Sequence, residues 1–497
     1  MASRDNEIVH ARLLGQLLGP GIDASAGVGG LSVAGITADS RRVAPGVVFA
    51  AMPGTRVDGA AFAAEAQAKG AVAILAALDA KLPPLAIPVL RAADPRRALA
   101  LMAARFYVRQ PEVALAVTGT SGKTSVADFT RQILSACGKQ AASLGTLGVV
   151  KPSGPVYGSL TTPDPVTLAA TLAELAGEGI THIAFEASSH GLDQRRLDGV
   201  KLAAAAFTNL GRDHLDYHPT IEDYLKAKLR LFDTLLEPGR SAVINNDGAR
   251  AADVIEVARN CGHEVWSTGS RGTLVGLEHV AREGFKQRLS LRLPHRRVEV
   301  LLPLLGAYQV ENALLAAGLA SCCGVALEDA VAALAGLEGV PGRLEVAGEA
   351  RGGLAVVDYA HKPEALVAAL DALRPFATGK LICVLGCGGD RDKGKRPLMG
   401  GIAAAKADVV IVTDDNPRSE QPAAIRGEIL AGVDPGAAHV REIGDRAEAI
   451  RAAIGQLGRG DVVLVAGKGH ETGQIVGTKV IPFSDHDEIR KALGEGA

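Results

Sequence analysis

The stretch VTGTSGKTS (residues 117–125) decides the fold of this chain. It follows the apolar run VALAV (113–117) and precedes a helical pattern with apolar residues at Val126, Phe129 and Ile133. A strand, a glycine-rich loop and a helix in this order predict a phosphate-binding loop, because backbone N–H groups and the helix N-terminus then face an anion. The motif is a shortened form, since Val117 stands where the full pattern has a glycine.

The side chains of this loop predict that the bound anion belongs to ATP. Lys123 can reach the β- and γ-phosphates, and the hydroxyl of Thr124 or Ser125 can ligate Mg²⁺. The remaining residues of the predicted phosphate site are Gly119, Thr120, Ser121 and Gly122. The alternative is an ordinary glycine-rich turn between a strand and a helix, without a ligand.

The size and composition of the chain exclude several classes of function. At 497 residues it is too long for one hydrophobic core, so we expect about three domains. A formal net charge of −2 gives no electrostatic case for nucleic acid or membrane binding, and small molecules are the expected partners. No signal sequence and no apolar run of about 18 residues is present, which predicts a cytoplasmic protein. The six cysteines lack metal spacing and are expected to be reduced thiols.

Apolar runs that alternate with helical stretches predict an α/β fold of three domains. Residues 1–111 form a small α/β domain, in which the loops TADSRR (37–42) and MPGTRVDG (52–59) are either ligand loops or solvated turns. Residues 112–345 form a central parallel-sheet domain of the P-loop ATPase type, and residues 346–497 form a Rossmann-like C-terminal domain.

Polar residues follow the predicted strands of the central domain. Glu186 ends the apolar run 180–185, where a phosphate-loop protein needs a Mg²⁺ ligand. The loop TNLGRDHLDYH (208–218) combines two histidines with two aspartates, which favours a metal or phosphate site over a purely structural loop. In the helical stretch 224–232, Lys226 and Lys228 have the pattern of solvent-facing charges.

Four polar loops follow the predicted strands of the last domain. They are DYAHKPE (358–364), GCGGDRDKGKRP (386–397), DDNPRSE (414–420) and GKGHETGQ (467–474). Because the carboxyl ends of parallel strands meet at one edge of a sheet, these loops predict one common binding site. A dinucleotide fingerprint is disfavoured, since GCGGDRD lacks the G-x-G-x-x-G spacing.

Nine segments, in their order and spacing, resemble the Mur ligase family. They are TGTSGKT, EASSHGLDQRR, DHLDYH, YLKAK, GRLE, DYAHKP, GCGGDRDKGKRP, DNPR and GKGHE, and the resemblance extends over about residues 36–486. Members of this family are ATP-dependent enzymes that form the amide bonds of the peptidoglycan stem peptide. The pattern is similar to that of the members that add the third residue, with UDP-N-acetylmuramoyl-L-alanyl-D-glutamate as the acceptor.

The resemblance implies that ATP phosphorylates a substrate carboxylate and that an amine then attacks the acyl phosphate through a tetrahedral intermediate. The implied catalytic residues are Lys123, Lys228, Glu186 and His214. Asn312, Arg343 and Asp358 would complete the ATP site formed by residues 119–125. The implied metal ligands for Mg²⁺ are Thr124, Glu186, His214 and Lys228, the last as a carbamylated lysine.

The resemblance also implies where the substrates bind. The UDP-muramoyl-peptide would contact Ala38, Ser40, Thr55, Arg56, Val57, Thr161, Thr162, Ser188, Gln194 and Arg196. The amino acid would contact Arg391, Asp415, Asn416, Pro417, Arg418, Gly467 and Glu471. The segment DNPR is the form associated with meso-diaminopimelate, because the guanidinium of Arg418 can bind a distal carboxylate that lysine lacks.

Two other functions stay open on the sequence. One is a related ATP-dependent amide ligase that adds L-lysine or acts on folate, and the other is a phosphate-loop switch that binds ATP without ligase chemistry. The expected protein is a monomer whose partners are ATP, the nucleotide-linked peptide and the amino acid, with no nucleic acid and no membrane insertion.

Overall fold

The computed structural model describes residues 11–54, 58–156, 160–211, 217–434, 436 and 439–494. The chain separates into two compact units. The first extends to Leu274 and includes Leu315–Ala330, and the second consists of Val275–Leu314 and the chain from Val331 onward. None of the helices in the described part of the chain combines the length and apolar character that a membrane crossing needs.

The N-terminal part of the first unit contains a five-stranded sheet. Its elements are β1 (Arg12–Leu13), α1 (Leu14–Leu17), β2 (Ile22–Asp23), β3 (Ser32–Val33), β4 (Gly35–Thr37), β5 (Val47–Ala50), α2 (Ala63–Ala68), β6 (Ala73–Ala77), β7 (Val89–Ala92) and α3 (Pro95–Tyr107). The strand order in the sheet is β2-β7-β6-β5-β4, in which β4 to β7 are parallel and β2 is antiparallel. Leu99, Met102 and Phe106 of α3 pack on this sheet and form its core with Val48 and Leu75.

The rest of the first unit is arranged around the strand that precedes the phosphate loop. Its elements are β8 (Val113–Thr118), α4 (Lys123–Ala136), β9 (Ala141–Gly145), β10 (Gly148–Lys151), β11 (Gly154–Val156), α5 (Pro165–Gly177), β12 (His182–Glu186), α6 (Ser189–Asp193), β13 (Ala204–Phe207), α7 (Ile221–Arg230), β14 (Ser241–Asn245), α8 (Ala251–Asn260) and β15 (Glu264–Gly269). These strands lie in the order β11-β10-β9-β12-β8-β13-β14-β15. Because Glu186 pairs with Val117, its carboxylate lies beside the start of the phosphate loop.

The second unit contains an antiparallel three-stranded segment and a six-stranded sheet. Helices α9 (Ala307–Ser321) and α10 (Leu327–Ala332) each include residues of both units. The remaining elements are β16 (Val275–Glu283), β17 (Lys286–Arg292), β18 (Arg297–Leu302), β19 (Glu345–Ala350), β20 (Gly353–Asp358), α11 (Pro363–Leu373), β21 (Leu381–Leu385), α12 (Lys395–Lys406), β22 (Val409–Val412), α13 (Pro422–Leu430), β23 (His439–Glu442), α14 (Arg446–Ile454), β24 (Val462–Ala466), β25 (Gly473–Val476), β26 (Lys479–Pro482) and α15 (Asp485–Leu493).

The six-stranded sheet has the strand order β19-β20-β24-β21-β22-β23. Its strands β20 to β24 are parallel, and helices cover both of its faces. Burial on both faces explains why β20, β21, β22 and β24 read as continuous apolar runs in the sequence. The predicted α/β class with parallel sheets is confirmed. Cys383 and Cys387 are buried free thiols that pack in the core of this sheet. The domain boundaries at residues 111 and 345 stay a prediction.

Candidate active site

The phosphate loop connects β8 to α4. Helix α4 begins at Lys123, and its N-cap residue Gly122 offers no side-chain hydrogen bond to the first turn. A helix N-terminus without such a cap keeps its backbone N–H groups for an anionic ligand. The loop itself is held from the neighbouring strand, because Ser121 N donates to Asn209 Oδ1 (3.1 Å) and Thr208 Oγ1 donates to Ser121 O (2.6 Å).

Two lysines meet at one carbonyl of the phosphate loop. Lys123 Nζ donates to Gly119 O at 3.0 Å, and Lys228 Nζ donates to the same oxygen at 2.7 Å. The expectation that Lys228 faces solvent is wrong, since its exposure is 1% and its ammonium lies 4.2 Å from the ring centre of Tyr224. Lys226 is exposed as expected. Helix α7 turns the Lys228 face inward because that face packs against the loop.

Glu186 is a buried carboxylate at the end of β12. Its Oε1 accepts a hydrogen bond from Thr146 N at 2.7 Å. The side chain crosses the end of β9 at Gly145, where a Cβ atom would lie 2.1 Å from Oε1. Only glycine at position 145 therefore leaves room for Glu186 in this orientation.

The residues near the phosphate loop fit a hard cation in part. A buried carboxylate at Glu186 and the hydroxyl of Thr124 are oxygen donors of the kind that Mg²⁺ prefers. No group of three or more His, Cys, Asp or Glu side chains able to hold a metal is found among the described residues. His214 falls outside the residues that the structure describes.

The predicted contacts to the muramoyl-peptide lie in a hydrogen-bonded network next to Glu186. Thr162 Oγ1 donates to Glu186 O (2.9 Å) and lies 3.0 Å from Ser188 Oγ. The network also contains a pair of hydroxyls, Thr146 Oγ1 and Thr161 Oγ1, 3.1 Å apart. The structure thus brings three of the predicted substrate contacts together at the end of β12.

Arg196 extends the same network. Its guanidinium donates to Thr162 O (2.5 Å) and to Gln194 Oε1 (2.7 Å), and burial lowers the pKa of Arg196 from its usual value. Ala38 and Ser40 belong instead to the loop after β4, where Ser40 O accepts a hydrogen bond from Lys69 Nζ (2.9 Å). Three further predicted contacts, Thr55, Arg56 and Val57, lie outside the described residues.

Two of the predicted nucleotide residues of the second unit, Asn312 and Arg343, are linked through Gln309, which was not predicted from the sequence. Asn312 Nδ2 donates to Gln309 Oε1 (3.1 Å), and Gln309 Nε2 donates to Arg343 O (2.8 Å). Asp358 accepts from Leu344 N and Ala360 N, both at 2.8 Å, and burial raises its pKa to about 6. Both oxygens of this carboxylate therefore already hold backbone groups.

The four polar loops of the second unit surround a cavity of about 620 Å³ at the carboxyl ends of the parallel strands. We call this cavity the amino-acid pocket. Its lining includes six of the seven residues predicted there, Arg391, Asp415, Asn416, Arg418, Gly467 and Glu471. The seventh, Pro417, packs with its carbonyl against Gly389. The four loops therefore meet at one cavity, as expected from their positions after the parallel strands.

The lining of the amino-acid pocket also includes Tyr359, His361 and Lys395, which the sequence analysis did not assign. Since a carbonyl oxygen only accepts, the 2.7 Å contact between His361 Nδ1 and Tyr359 O places the proton on Nδ1. Burial and the positive charges of Lys395 and Lys362 lower the pKa of His361. Tyr359, His361 and Lys395 all lie in the four polar loops, and this position is the sequence signal that could have identified them.

Arg418 supplies a positive charge to this pocket. Its backbone lies in the left-handed region (φ 50°) and is held by a hydrogen bond from Arg418 N to Ile475 O at 3.0 Å. The guanidinium donates to Gly389 O at 2.9 Å and forms no ion pair with any described carboxylate. A cation in this situation is suited to bind an anionic group of a ligand.

Three family models match separate stretches of this chain. The Mur ligase middle domain matches residues 117–320, the Mur ligase glutamate ligase domain matches residues 342–469, and the Mur ligase family catalytic domain matches residues 32–107. The chain belongs to the Mur ligase family. In this Mur ligase the phosphate loop falls in the middle-domain match, and most of the amino-acid pocket falls in the glutamate ligase match.

Two relatives of this Mur ligase carry the name "UDP-N-acetylmuramoyl-L-alanyl-D-glutamate--2,6-diaminopimelate ligase". The protein of Rhizobium meliloti (strain 1021) is 56% identical over 93% of this chain and 95% of its own length. The protein of Brucella melitensis biotype 1 is 57% identical over 94% of this chain and 95% of its own length. A solved structure of a ligase with the same name has a TM-score of 0.73 and 34% identity, covering 95% of this chain and 97% of that one.

These comparisons confirm three predictions from the sequence. The chain is a member of the predicted family, it is an enzyme of the ligase class, and its α/β architecture is that of a solved Mur ligase structure.

Proposed function

We propose that this Mur ligase adds meso-diaminopimelate to UDP-N-acetylmuramoyl-L-alanyl-D-glutamate with ATP as the energy source. The observation that carries the proposal is Arg418, a pocket guanidinium whose one hydrogen bond among the described residues goes to Gly389 O. The printed names of the relatives at 56% and 57% identity support the same substrates.

The charges around the amino-acid pocket are complementary to diaminopimelate. This amino acid carries two carboxylates and two ammonium groups, and the pocket presents the cations Arg391 and Arg418 with the carboxylates Asp415 and Glu471. L-Lysine lacks the second carboxylate, so its binding would leave Arg418 without an anionic partner. A site built around a polar group of its substrate discriminates strongly against an analogue that lacks this group.

The phosphate loop is the proposed site of the ATP phosphates. Residues 119–125 offer the uncapped N-terminus of α4 and the ammonium of Lys123, both of which attract anions. Asn312, Arg343 and Asp358 are the proposed contacts to the rest of the nucleotide. Mg²⁺ would be held by Glu186, Thr124 and His214, and when bound it neutralises phosphate charge.

The proposed reaction has two chemical steps. A carboxylate oxygen of the acceptor peptide attacks the γ-phosphorus of ATP, which gives an acyl phosphate and ADP. The neutral amine of diaminopimelate then attacks the acyl carbon, and inorganic phosphate leaves as the amide forms. Lys123 and the helix N-terminus act by holding the phosphate anions close to a negatively charged carboxylate, which would otherwise repel them.

Carbamylation of Lys228 is part of the proposal. A carbamylated lysine keeps one N–H, so it can still donate to Gly119 O, and its new carboxylate would add an oxygen ligand for Mg²⁺. Burial of Lys228 within hydrogen-bond distance of the phosphate loop supports this role.

We expect the Lys228→Ala variant to lose about 100-fold in kcat, because an anchor of the phosphate loop and a metal ligand are removed together. Added acetate should recover part of the activity by supplying the missing carboxylate. The matched control is Lys226→Ala, which removes an exposed lysine of the same helix and should keep full activity. A fully active Lys228→Ala variant without acetate would contradict the assignment.

The proposed function is tested by phosphate release from ATP. A diaminopimelate ligase releases phosphate only when the nucleotide-linked peptide and meso-diaminopimelate are both present. A switch protein hydrolyses ATP without them, and a folate ligase requires a folate acceptor. Comparable kcat/KM values for L-lysine and meso-diaminopimelate would show that the amino-acid assignment is wrong. A monomeric state and a cytoplasmic location stay predictions.

A further inference from the structure

Lys468 is a buried charge next to the amino-acid pocket, although it is not one of the residues that line it. The side chain has an exposure of 0%. Its ammonium donates hydrogen bonds to Asn416 Oδ1 (3.1 Å) and to Glu471 Oε2 (3.0 Å). Both acceptors line the pocket, so Lys468 reaches the substrate site only through them.

The hydrogen bonds of Lys468 belong to a closed network. Asn416 Oδ1 accepts a second hydrogen bond from Ile475 N at 2.9 Å, which fixes the orientation of the amide. Asn416 Nδ2 therefore faces Glu471 and donates to its Oε2 at 2.9 Å. Two donors occupy Oε2 of Glu471, and among the described residues none donates to Oε1. The network thus leaves one oxygen of this carboxylate for a ligand.

The backbone around Lys468 is shaped to bring it into this position. Gly467 and Gly469 on either side have φ angles of 114° and 53°, in the region that favours glycine. The chain turns sharply at the end of β24 as a result, and the lysine side chain points inward.

Stability does not explain a lysine at this position. Removing an ammonium from water is costly, and buried ion pairs are often no more stabilising than apolar side chains of similar volume. A methionine would fill the same space without a charge. We therefore expect Lys468 to contribute by orienting the side chains of Asn416 and Glu471.

We propose that Lys468 is a positioning residue for the amino-acid substrate, holding Glu471 so that its Oε1 receives an ammonium group and holding the Asn416 amide in a single orientation. This inference rests on the proposed function, because it assigns the amino acid to this pocket. It adds a positioning role for a side chain that does not contact the substrate.

The test is a steady-state analysis of the Lys468→Met variant with saturating ATP and acceptor peptide. We expect KM for meso-diaminopimelate to rise about 10- to 100-fold, since hydrogen bonds to charged groups are strong, while KM for ATP changes less than twofold. Lys468→Gln, which keeps a donor without the charge, should give an intermediate KM and serves if the methionine variant does not fold. In a Glu471→Gln background, Lys468→Met should change KM for meso-diaminopimelate by less than a further threefold, because the two residues act through the same contact.

The matched control is Lys491→Met, because Lys491 also pairs with a carboxylate three positions away (Glu488, 2.7 Å) but is exposed. This control should leave every kinetic constant unchanged. An unchanged KM for meso-diaminopimelate in folded Lys468→Met or Lys468→Gln would overturn the role of Lys468 but not the proposed function of the protein. This holds whatever happens to thermal stability. A wild-type protein that forms no amide with meso-diaminopimelate would overturn the proposed function and the inference with it.

Discussion

The Arg418→Met variant is expected to lose about 100- to 1,000-fold in kcat/KM for meso-diaminopimelate. The guanidinium is the proposed partner of the distal carboxylate, and removing one member of a desolvated charge pair leaves the other charge without compensation. The ratio of kcat/KM for meso-diaminopimelate to that for L-lysine should fall at the same time, because lysine never used this contact. Competition between the two amino acids in one assay measures the ratio directly.

Two further variants make the Arg418 experiment specific. Arg418→Lys keeps the charge but not the two-pronged geometry, so it should recover only part of the lost activity. Arg441→Met removes an exposed arginine on β23 of the same unit and should behave like the wild-type protein. An Arg418→Met variant that still prefers meso-diaminopimelate over L-lysine by the wild-type ratio would show that another residue selects the amino acid.

The Arg446→Met variant is expected to lower the melting temperature by about 6–20 °C. Arg446 and Asp485 are both fully buried, and the guanidinium forms two 2.7 Å hydrogen bonds with the carboxylate. Burial alone would lower the pKa of Arg446, but the Asp485 carboxylate raises it. Removing one partner leaves an uncompensated buried charge, which costs about 3–5 kcal/mol, and each 1 kcal/mol corresponds to about 2–4 °C in a domain of this size.

Differential scanning calorimetry of the full chain measures this change. The control is Arg451→Met on the same helix, since Arg451 is exposed and its ion pair with Glu488 spans 4.0 Å. The double variant Arg446→Met/Asp485→Leu should regain much of the lost stability, because both charges are then absent. A melting temperature within about 2 °C of wild type for Arg446→Met would mean that the buried pair does not hold α15 in place.

Parallel sheets and the position of the amino-acid pocket were predictable from the sequence because both follow from local patterns. Strands buried on both faces must be apolar throughout, as β21 and β24 are, and their ends must meet at one edge. The antiparallel strands β16 to β18 were not predicted. Much of β16 is exposed on both faces, so its sequence carries no clear alternation.

The roles of single polar side chains were less predictable. Lys226 and Lys228 differ by two positions on one helix, and only the packing of α7 against the phosphate loop decides which one is buried. Lys468 belongs to the predicted binding loop 467–474, but it acts through Asn416 and Glu471, so no spacing in the sequence marks its own role. Strand patterns locate a site, whereas the contacts behind its lining depend on long-range packing.

During synthesis on the ribosome, Arg446 emerges before the helix that supplies its counter-charge. Strands β20, β21, β22 and β24 all precede Asp485, so the sheet can pair while the guanidinium is still hydrated. Arg446 also donates to Ala466 O, next to the loop that carries Gly467 and Glu471. The carboxyl end of β24, and with it the loop that lines the amino-acid pocket, is therefore held in its final position only after α15 has packed against Arg446.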